Sequence, residues 1–312
     1  MRKTMIGGQA LLEGLLMMGP EDAAIAIRKA DGEIVVDKRP LPAKSVISKI
    51  PFLRGSVNLF RQMVFGVKAL MYSADFIELE EEEKPSRIDA FIERFFGDKI
   101  KDAVIYFSVI LSLGLSVGLF ILLPNVITGL TANIFGFNKD MAGGSFILNL
   151  IEGIIRILIF FGYLYLATLL NDIKRVWEYH GAEHKTIHCY EHEEELTVEN
   201  IKKYSTKHPR CGTSFMFLVM VISVLVFAVI GWYGIIMNVI LRILLIPVVA
   251  GVSFEILKFA GRHSENPIMK VLNAPGMLFQ MLTTREPDEK QIEVAIAAFN
   301  GVTIPSEGAD KW

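Results

Sequence analysis

The chain has 312 residues, 52% of them hydrophobic and 21% charged, with a mean hydropathy of +0.42. Two uncharged runs, 36 residues at Ala103–Asn138 and 31 at Cys211–Leu241, exceed the roughly 20 residues of a bilayer span, so a purely soluble enzyme is excluded. With 32 basic and 34 acidic residues the net charge is −2, which offers no polyanion-binding surface and excludes nucleic acid as an expected partner.

Arg2 and Lys3 resemble the start of a signal peptide, but Glu13 interrupts the apolar stretch and none is expected. The glycine-dense segment Gly7-Gly8-Gln9-Ala10-Leu11-Leu12-Glu13-Gly14 reads as a loop or a close backbone approach. It lacks the Gly-Lys-Ser/Thr ending of a phosphate loop. Ala24–Lys38 reads as a β-hairpin turning at Asp31-Gly32. Pro51-Phe52-Leu53-Arg54-Gly55 opens an amphipathic helix to about Leu79, suited to a membrane surface. Glu78–Glu83 holds five acids in six residues, the pattern of a solvated linker. Phe91, Ile92, Phe95 and Phe96 form a short apolar face.

Four spans follow: Ala103–Leu123, stopped by Pro124; Ser145 to about Leu170; Thr213–Gly231; and Gly234 to about Ala260. The stretch Val126–Phe137 is too short to cross and is assigned to the interface or to a re-entrant segment. Glu152 and Arg156 lie inside the second span, Arg242 and Glu255 inside the fourth. The four charges sum to zero, which favours a structural polar contact between those spans, or snorkelling of Arg242, over an ion or proton path. Beyond them Ile292–Phe299 reads as a short helix and Ser306–Trp312 as a tail.

Lysine and arginine orient the chain. Segments 1–102, 171–212 and 261–312 hold 16, seven and five of them, whereas 125–145 holds only Lys139 and the turn 231–234 none. The positive-inside rule therefore assigns both termini and the 171–212 loop to the cytoplasm. The expected fold is mainly α, a polytopic membrane protein with four transmembrane helices and a small cytoplasmic α+β portion. Its expected regions are 1–102, a membrane domain 103–260 containing the loop 171–212, and 261–312. The lipid bilayer is the expected partner, with a further membrane protein or a second copy beside it.

All six histidines lie between 180 and 263. His180, His184, His188 and His192 recur every four residues, and each such step turns about 40° around a helix. All four cannot serve one ion, because the first and last differ by about 120° and about 18 Å. The sharp element is His180-Gly181-Ala182-Glu183-His184. Two imidazoles at i and i+4 can hold one Zn²⁺, and Glu183 beside them is placed to take a proton from an attacking water. His208-Pro209-Arg210-Cys211-Gly212 precedes the third span and returns to the same membrane level. His188 and His192 read as surrounding residues and His263 as an interfacial side chain.

HGAEHK, then CYE and HPRCGTSF, resemble the signature of the bacterial YqhQ-type membrane family. GGQALLEG, PFLRG at 51–55, LLIPVVAGVSFE and MLTTREPDEKQIEVAI are similar to it too, so the resemblance covers nearly the whole chain. It implies a multi-pass protein of the bacterial plasma membrane, in a family of unknown function sometimes labelled predicted metal-dependent enzymes. It points to Gly7, Gly8, Gln9, Glu13, His180, Glu183, His184, Cys189, His208, Arg210 and Cys211. His188, His192 and His263 fall outside its motif.

Three functions fit these residues. A membrane-anchored hydrolase would use His180 and His184 as ligands of a divalent metal, zinc before others, with His208 or Cys211 third. Glu183 would be its general base and Arg210 its anion holder. A scaffold or assembly factor would close a structural site with Cys189 and Cys211 beside the two histidines. A metal transporter fits least, since its ligands belong near the bilayer midplane.

Overall fold

The computed structural model describes residues 3–41, 50–78, 99–136, 143–263 and 266–303. The expectations for residues 79–83, for Phe91–Phe96 and for the tail from Ser306 lie outside them. The chain divides into two compact units. One comprises Met1–Ile77, Leu164–Val219 and Pro247–Trp312, the other Glu78–Tyr163 and Met220–Ile246.

The strands are β1 (Gly7–Leu11), β2 (Gly14–Met18), β3 (Asp22–Arg28) and β4 (Ile34–Pro40). The helices among the described residues are α1 (Leu53–Glu78), α2 (Lys99–Val117), α3 (Leu123–Phe135), α4 (Gly144–Ala167) and α5 (Asn171–Glu191). They continue with α6 (Val198–Lys202), α7 (Gly212–Ile230), α8 (Ile235–Arg262), α9 (Pro267–Thr283) and α10 (Glu289–Val302). The protein is mainly helical, with one small antiparallel sheet in the first unit.

The sheet is a meander in the order β1-β2-β3-β4. The expected hairpin is β3–β4, with Arg28 opposite Ile34. Its turn uses both signal residues: Asp31 Oδ1 accepts the Glu33 N–H at 2.9 Å, and Gly32 has φ +90°. Of the two readings of the glycine-dense segment, loop or close backbone approach, the second holds: the segment is the hairpin β1–β2, in which Leu11 faces Gly14. Glycine is needed at 14 because a Cβ there would lie 2.6 Å from the Ala26 carbonyl oxygen.

No apolar–polar alternation marks β2, because both sheet faces are covered. Leu15, Met17, Ala24 and Ala26 gather with Tyr179 and Ala182 of α5 and Ile292, Ala295 and Phe299 of α10. Leu11, Leu16, Ile25 and Ile27 gather with Ala69, Phe65, Tyr72 and Phe76 of α1. A strand covered on both sides is apolar throughout. Each fully buried Leu or Ile contributes about 1.5–3 kcal/mol, so the two layers hold the sheet and press α5 against it. The predicted helix at 292–299 extends to Glu289–Val302. It starts at a capping box in which Asp288 accepts the Gln291 N–H at 2.7 Å and Gln291 accepts the Asp288 N–H at 2.8 Å.

Four helical stretches are long and apolar enough to cross a membrane: Phe107–Phe135, Gly144–Ala167, Gly212–Ile230 and Ile235–Ala260. Only 6% of the most apolar 18-residue window of the first and 28–33% of those of the others is buried within the protein, which suits helices in contact with lipid. The chain is a multi-pass membrane protein.

Pro124 does not stop the first span. The helix widens into a π turn at Gly118–Leu122 and carries Pro124 near the start of α3. Proline has no N–H to give the carbonyl four residues back, that of Phe120, and there Arg156 Nε donates at 2.8 Å. Val126–Phe135 is therefore the continuation of the span.

The polar contact expected between spans two and four exists in the second unit. Glu152 of α4 pairs with both Arg156 and Arg242, the latter on α8. Glu255 does not belong to that balance. It pairs with Arg54 at the start of α1, in the first unit.

Candidate metal centre

The second span does not run on into the histidine segment. α4 ends at Ala167, Leu170 is extended, and α5 starts afresh at Asn171. From Tyr179 to Glu191 this polar helix is mostly buried, so each of its polar groups needs a partner. Backbone carbonyls of the neighbouring segments supply many of them.

His180 and His184 share one face of α5, with ring centroids 4.4 Å apart. His180 Nδ1 lies 2.7 Å from the Thr283 carbonyl oxygen at the end of α9, and His184 Nδ1 lies 2.5 Å from that of Thr206. A carbonyl only accepts, so each Nδ1 carries a proton, which leaves each Nε2 as the nitrogen that can bind a cation once it is deprotonated. His180 Nε2 is 3.2 Å from Cys211 Sγ. His184 Nε2 is buried and has no hydrogen-bond partner. One donor atom from each of His180, His184 and Cys211 lies within 4.8 Å of the others.

Cys211 immediately precedes α7. Its sulfur receives the Thr213 N–H at 3.4 Å and lies 3.1 Å from Thr213 Oγ1. Burial opposes the thiolate, but the charges of His184 and His180 and the hydrogen bond with His180 outweigh it and hold the thiol well below its ordinary range. The positive end of α7 acts in the same direction. Burial likewise lowers His180, yet Cys211 and Glu183 lift it to about 9. The pair favours the anionic sulfur that a soft divalent cation takes as ligand.

Glu183 is buried beside them, and its Oε1 accepts the Gly8 N–H of β1 at 2.8 Å. A Cβ at Gly8 would lie 2.5 Å from the Leu16 carbonyl oxygen and 3.1 Å from Glu183 Cδ. That close approach is what the glycine in GGQALLEG permits. Burial raises the Glu183 carboxyl above its ordinary value, against the pull of His180 and His184. Glu13, in the β1–β2 turn, pairs with Arg175 and accepts from Tyr179 Oη at 3.3 Å, which ties that turn to α5.

His208 is not brought to the His180–His184–Cys211 group. Its Nδ1 accepts the Arg210 N–H at 3.3 Å, and its Nε2 lies 3.4 Å from Glu191 Oε2. With His188 it belongs to a second cluster around Glu191. Glu191 also accepts the Thr4 N–H at 2.9 Å and pairs with Arg210. Arg210, expected to hold an anionic group of the substrate, is thus committed to a buried carboxylate and to the Thr4 carbonyl oxygen, 3.2 Å away. A guanidinium inside the cluster disfavours a metal cation there. Gln280 clamps the strand of chain at 208, accepting the His208 N–H and donating to its carbonyl, each at 2.8 Å.

Cys189 also lies apart. It is nine positions from His180, about 180° around the helix, and is buried in the core against the sheet. Its thiol reaches the Glu195 carbonyl oxygen at 3.5 Å. The four-residue set of His180, His184, Cys189 and Cys211 is therefore not assembled. His192 and His263 are exposed and bond to carbonyls of their own helices. Glu191 was missed from sequence. Its signal was its spacing, seven and eleven residues after His184 and His180, which places it on their face of α5.

These features define a multi-pass helical membrane protein in which two histidines and a cysteine converge beside a buried carboxylate. The chain belongs to the family described as "Protein of unknown function (DUF1385)", which matches residues 50–304. It is 36% identical over 301 residues to "Uncharacterized protein YqhQ" of Bacillus subtilis (strain 168), across 94% of this chain and 91% of that one. No solved structure matches the chain.

Proposed function

We propose that the protein is a membrane-anchored, metal-dependent hydrolase. Its ligands are His180, His184 and Cys211, its metal is zinc or a similar divalent cation, and its general base is Glu183. The observation that carries this reading is His184 Nε2, a buried ring nitrogen without a hydrogen-bond partner, on a histidine that gathers with His180 and Cys211. Leaving such a group unsatisfied costs about 1–3 kcal/mol, and a cation among the three atoms removes that penalty.

Bound there, the ion supplies Lewis acidity toward an acyl, peptide or phosphoryl bond and toward the attacking water. Three protein donors leave a fourth position open, as in catalytic rather than closed structural zinc sites. The scaffold reading needs Cys189, which faces the other side of α5. The 3.2 Å contact of His180 with Cys211 would also suit a thiol nucleophile and its base. The buried His184 Nε2 left without a hydrogen-bond partner beside that pair favours the metal.

Glu183 spends one oxygen on Gly8 and keeps the other for proton transfer. The distribution of lysine and arginine supports a centre at the cytoplasmic face of a bacterial plasma membrane, with both termini on that side. Purified protein is expected to hold about one zinc per chain. Replacing His180 and His184 together by Ala is expected to abolish it, and unchanged metal content in a folded double variant would remove this reading.

A further inference from the structure

We propose that the second unit holds a small inorganic anion of halide size between spans two and four, at the end marked by the turn Gly231–Gly234. Among the described residues of that unit's spans, Glu152 supplies one negative charge and Arg156 and Arg242 supply two positive ones. Glu255, which would have restored neutrality, is spent on Arg54 elsewhere. A single positive excess is therefore left inside an apolar helix bundle, where an uncompensated charge is expensive.

Two residues with unspent donors border one cavity. Arg242 is 4% exposed and Asn238 is 1% exposed, and both line a small cavity with Asn149, Phe227, Ile230, Gly231, Leu241 and Leu245. Arg242 gives one nitrogen to Glu152 and, at 3.1 Å, to Asn149 Oδ1. Its Nε has no partner, and neither does Asn238 Nδ2. Asn238 spends its oxygen on the Tyr233 N–H at 3.0 Å, so its amide is fixed with the donor side unspent. Asn149 likewise spends its own amide on the Ser145 and Gly231 carbonyls, which leaves it no N–H for an anion.

The cavity holds about one water-sized occupant. A monatomic anion such as chloride fits that space, whereas a lipid phosphate or an organic acid does not. Phe227 lies 5.4 Å from both guanidinium carbons and Trp232 lies 5.7 Å from that of Arg242. These rings stabilise the cations through their faces and offer no hydrogen bond to Nε or to the Asn238 amide.

The test uses the full-length protein in detergent, in chloride or gluconate buffers of equal ionic strength, gluconate being too large for the cavity. Wild type is expected to broaden the chloride NMR signal saturably and to melt at a higher temperature in chloride than in gluconate. Arg242→Gln leaves a neutral Glu152–Arg156 pair and is expected to weaken chloride binding by about tenfold or more, as loss of a charged donor does. Asn238→Leu fills the cavity, keeps the charges and is expected to abolish the effect. Should Arg242→Gln fail to fold, wild type and Asn238→Leu still decide. Equal melting in the two salts with no line broadening would overturn the proposal, because the cavity then holds only water. Undiminished chloride binding in folded Asn238→Leu would overturn it too.

Discussion

Gly181 lies directly under the carbonyl of Arg285, so close that any Cβ at 181 would collide with that oxygen. Arg285 in turn donates its N–H to the Trp177 carbonyl at 2.9 Å, which docks the segment after α9 on α5. The same segment presents the Thr283 carbonyl to His180. Gly181→Ala is therefore expected to push residues 283–285 away and to free the His180 ring. Overpacking of this kind costs about 1–3 kcal/mol. The expected outcome is a lower melting temperature together with weakened zinc retention on dialysis. A variant that melts lower yet holds zinc as tightly as wild type would show that the contact serves packing alone.

Acid is expected to destabilise the first unit in two stages. Burial holds His208 down at about 4, below its ordinary 6.5, so it folds neutral. The unfolded chain takes up that proton first, and the stability due to neutral His208 is complete above pH 6.5 and lost between 6.5 and 4. Burial alone would raise Glu191, but hydrogen bonds from His208 and Thr4 and the charge of Arg210 bring it to about 2 from 4.5. Its contribution is complete above pH 4.5 and lost between 4.5 and 2. These two groups therefore lower the melting temperature as pH drops from 7, against the opposite contribution of the raised Glu183 carboxyl. His208→Asn should reduce the slope above pH 4.5. It should leave part of it, since burial also lowers His188. A slope unchanged in that variant would remove His208 as its source.

Much of this arrangement is legible in the sequence, and the failures have physical causes. Charge-free runs and basic segments marked the four spans because lipid imposes them on any sequence. The spacing of His180 and His184 was enough to pair them, since it is local to one helix. β2 was missed because a strand buried on both faces has no alternation. Pro124 misleads because the helix widens around it and Arg156, 36 residues after Phe120, takes the Phe120 carbonyl that the proline leaves. The choice of Cys211 over Cys189 and His208 depends on where α7 begins and on Glu191 holding His208. Gly8 contributes a backbone N–H, which no side-chain pattern reports.

Sidedness is open to direct measurement. Tyr233 is 65% exposed in the turn between α7 and α8, and Lys202 is exposed at the end of α6. Both native cysteines are buried, so they form a quiet background. A membrane-impermeant thiol reagent added to intact cells is expected to label a cysteine at 233 and not one at 202. The reverse pattern would invert the charge-based orientation and move the centre to the other face.

Glu183 separates a hydrolase from a protein that merely holds a metal. As general base it takes a proton from the attacking water and passes it to the leaving group, without being a ligand itself. Glu183→Gln keeps the shape, and the amide oxygen can still accept the Gly8 N–H, so β1 and α5 should stay joined. The donor set of His180, His184 and Cys211 is untouched, so zinc content should equal that of wild type. What is lost is the base, which typically contributes about 10²–10⁴ in rate. The variant is therefore expected to insert normally, carry its metal and fail to complement a strain lacking the gene. Two measurements are made on the same preparation, metal content and complementation, and no substrate need be known. Full complementation by a normally expressed, zinc-loaded Glu183→Gln protein would sink the catalytic role and leave the metal site standing alone. Failure to complement with zinc also lost would instead place Glu183 among the groups that orient His180 and His184.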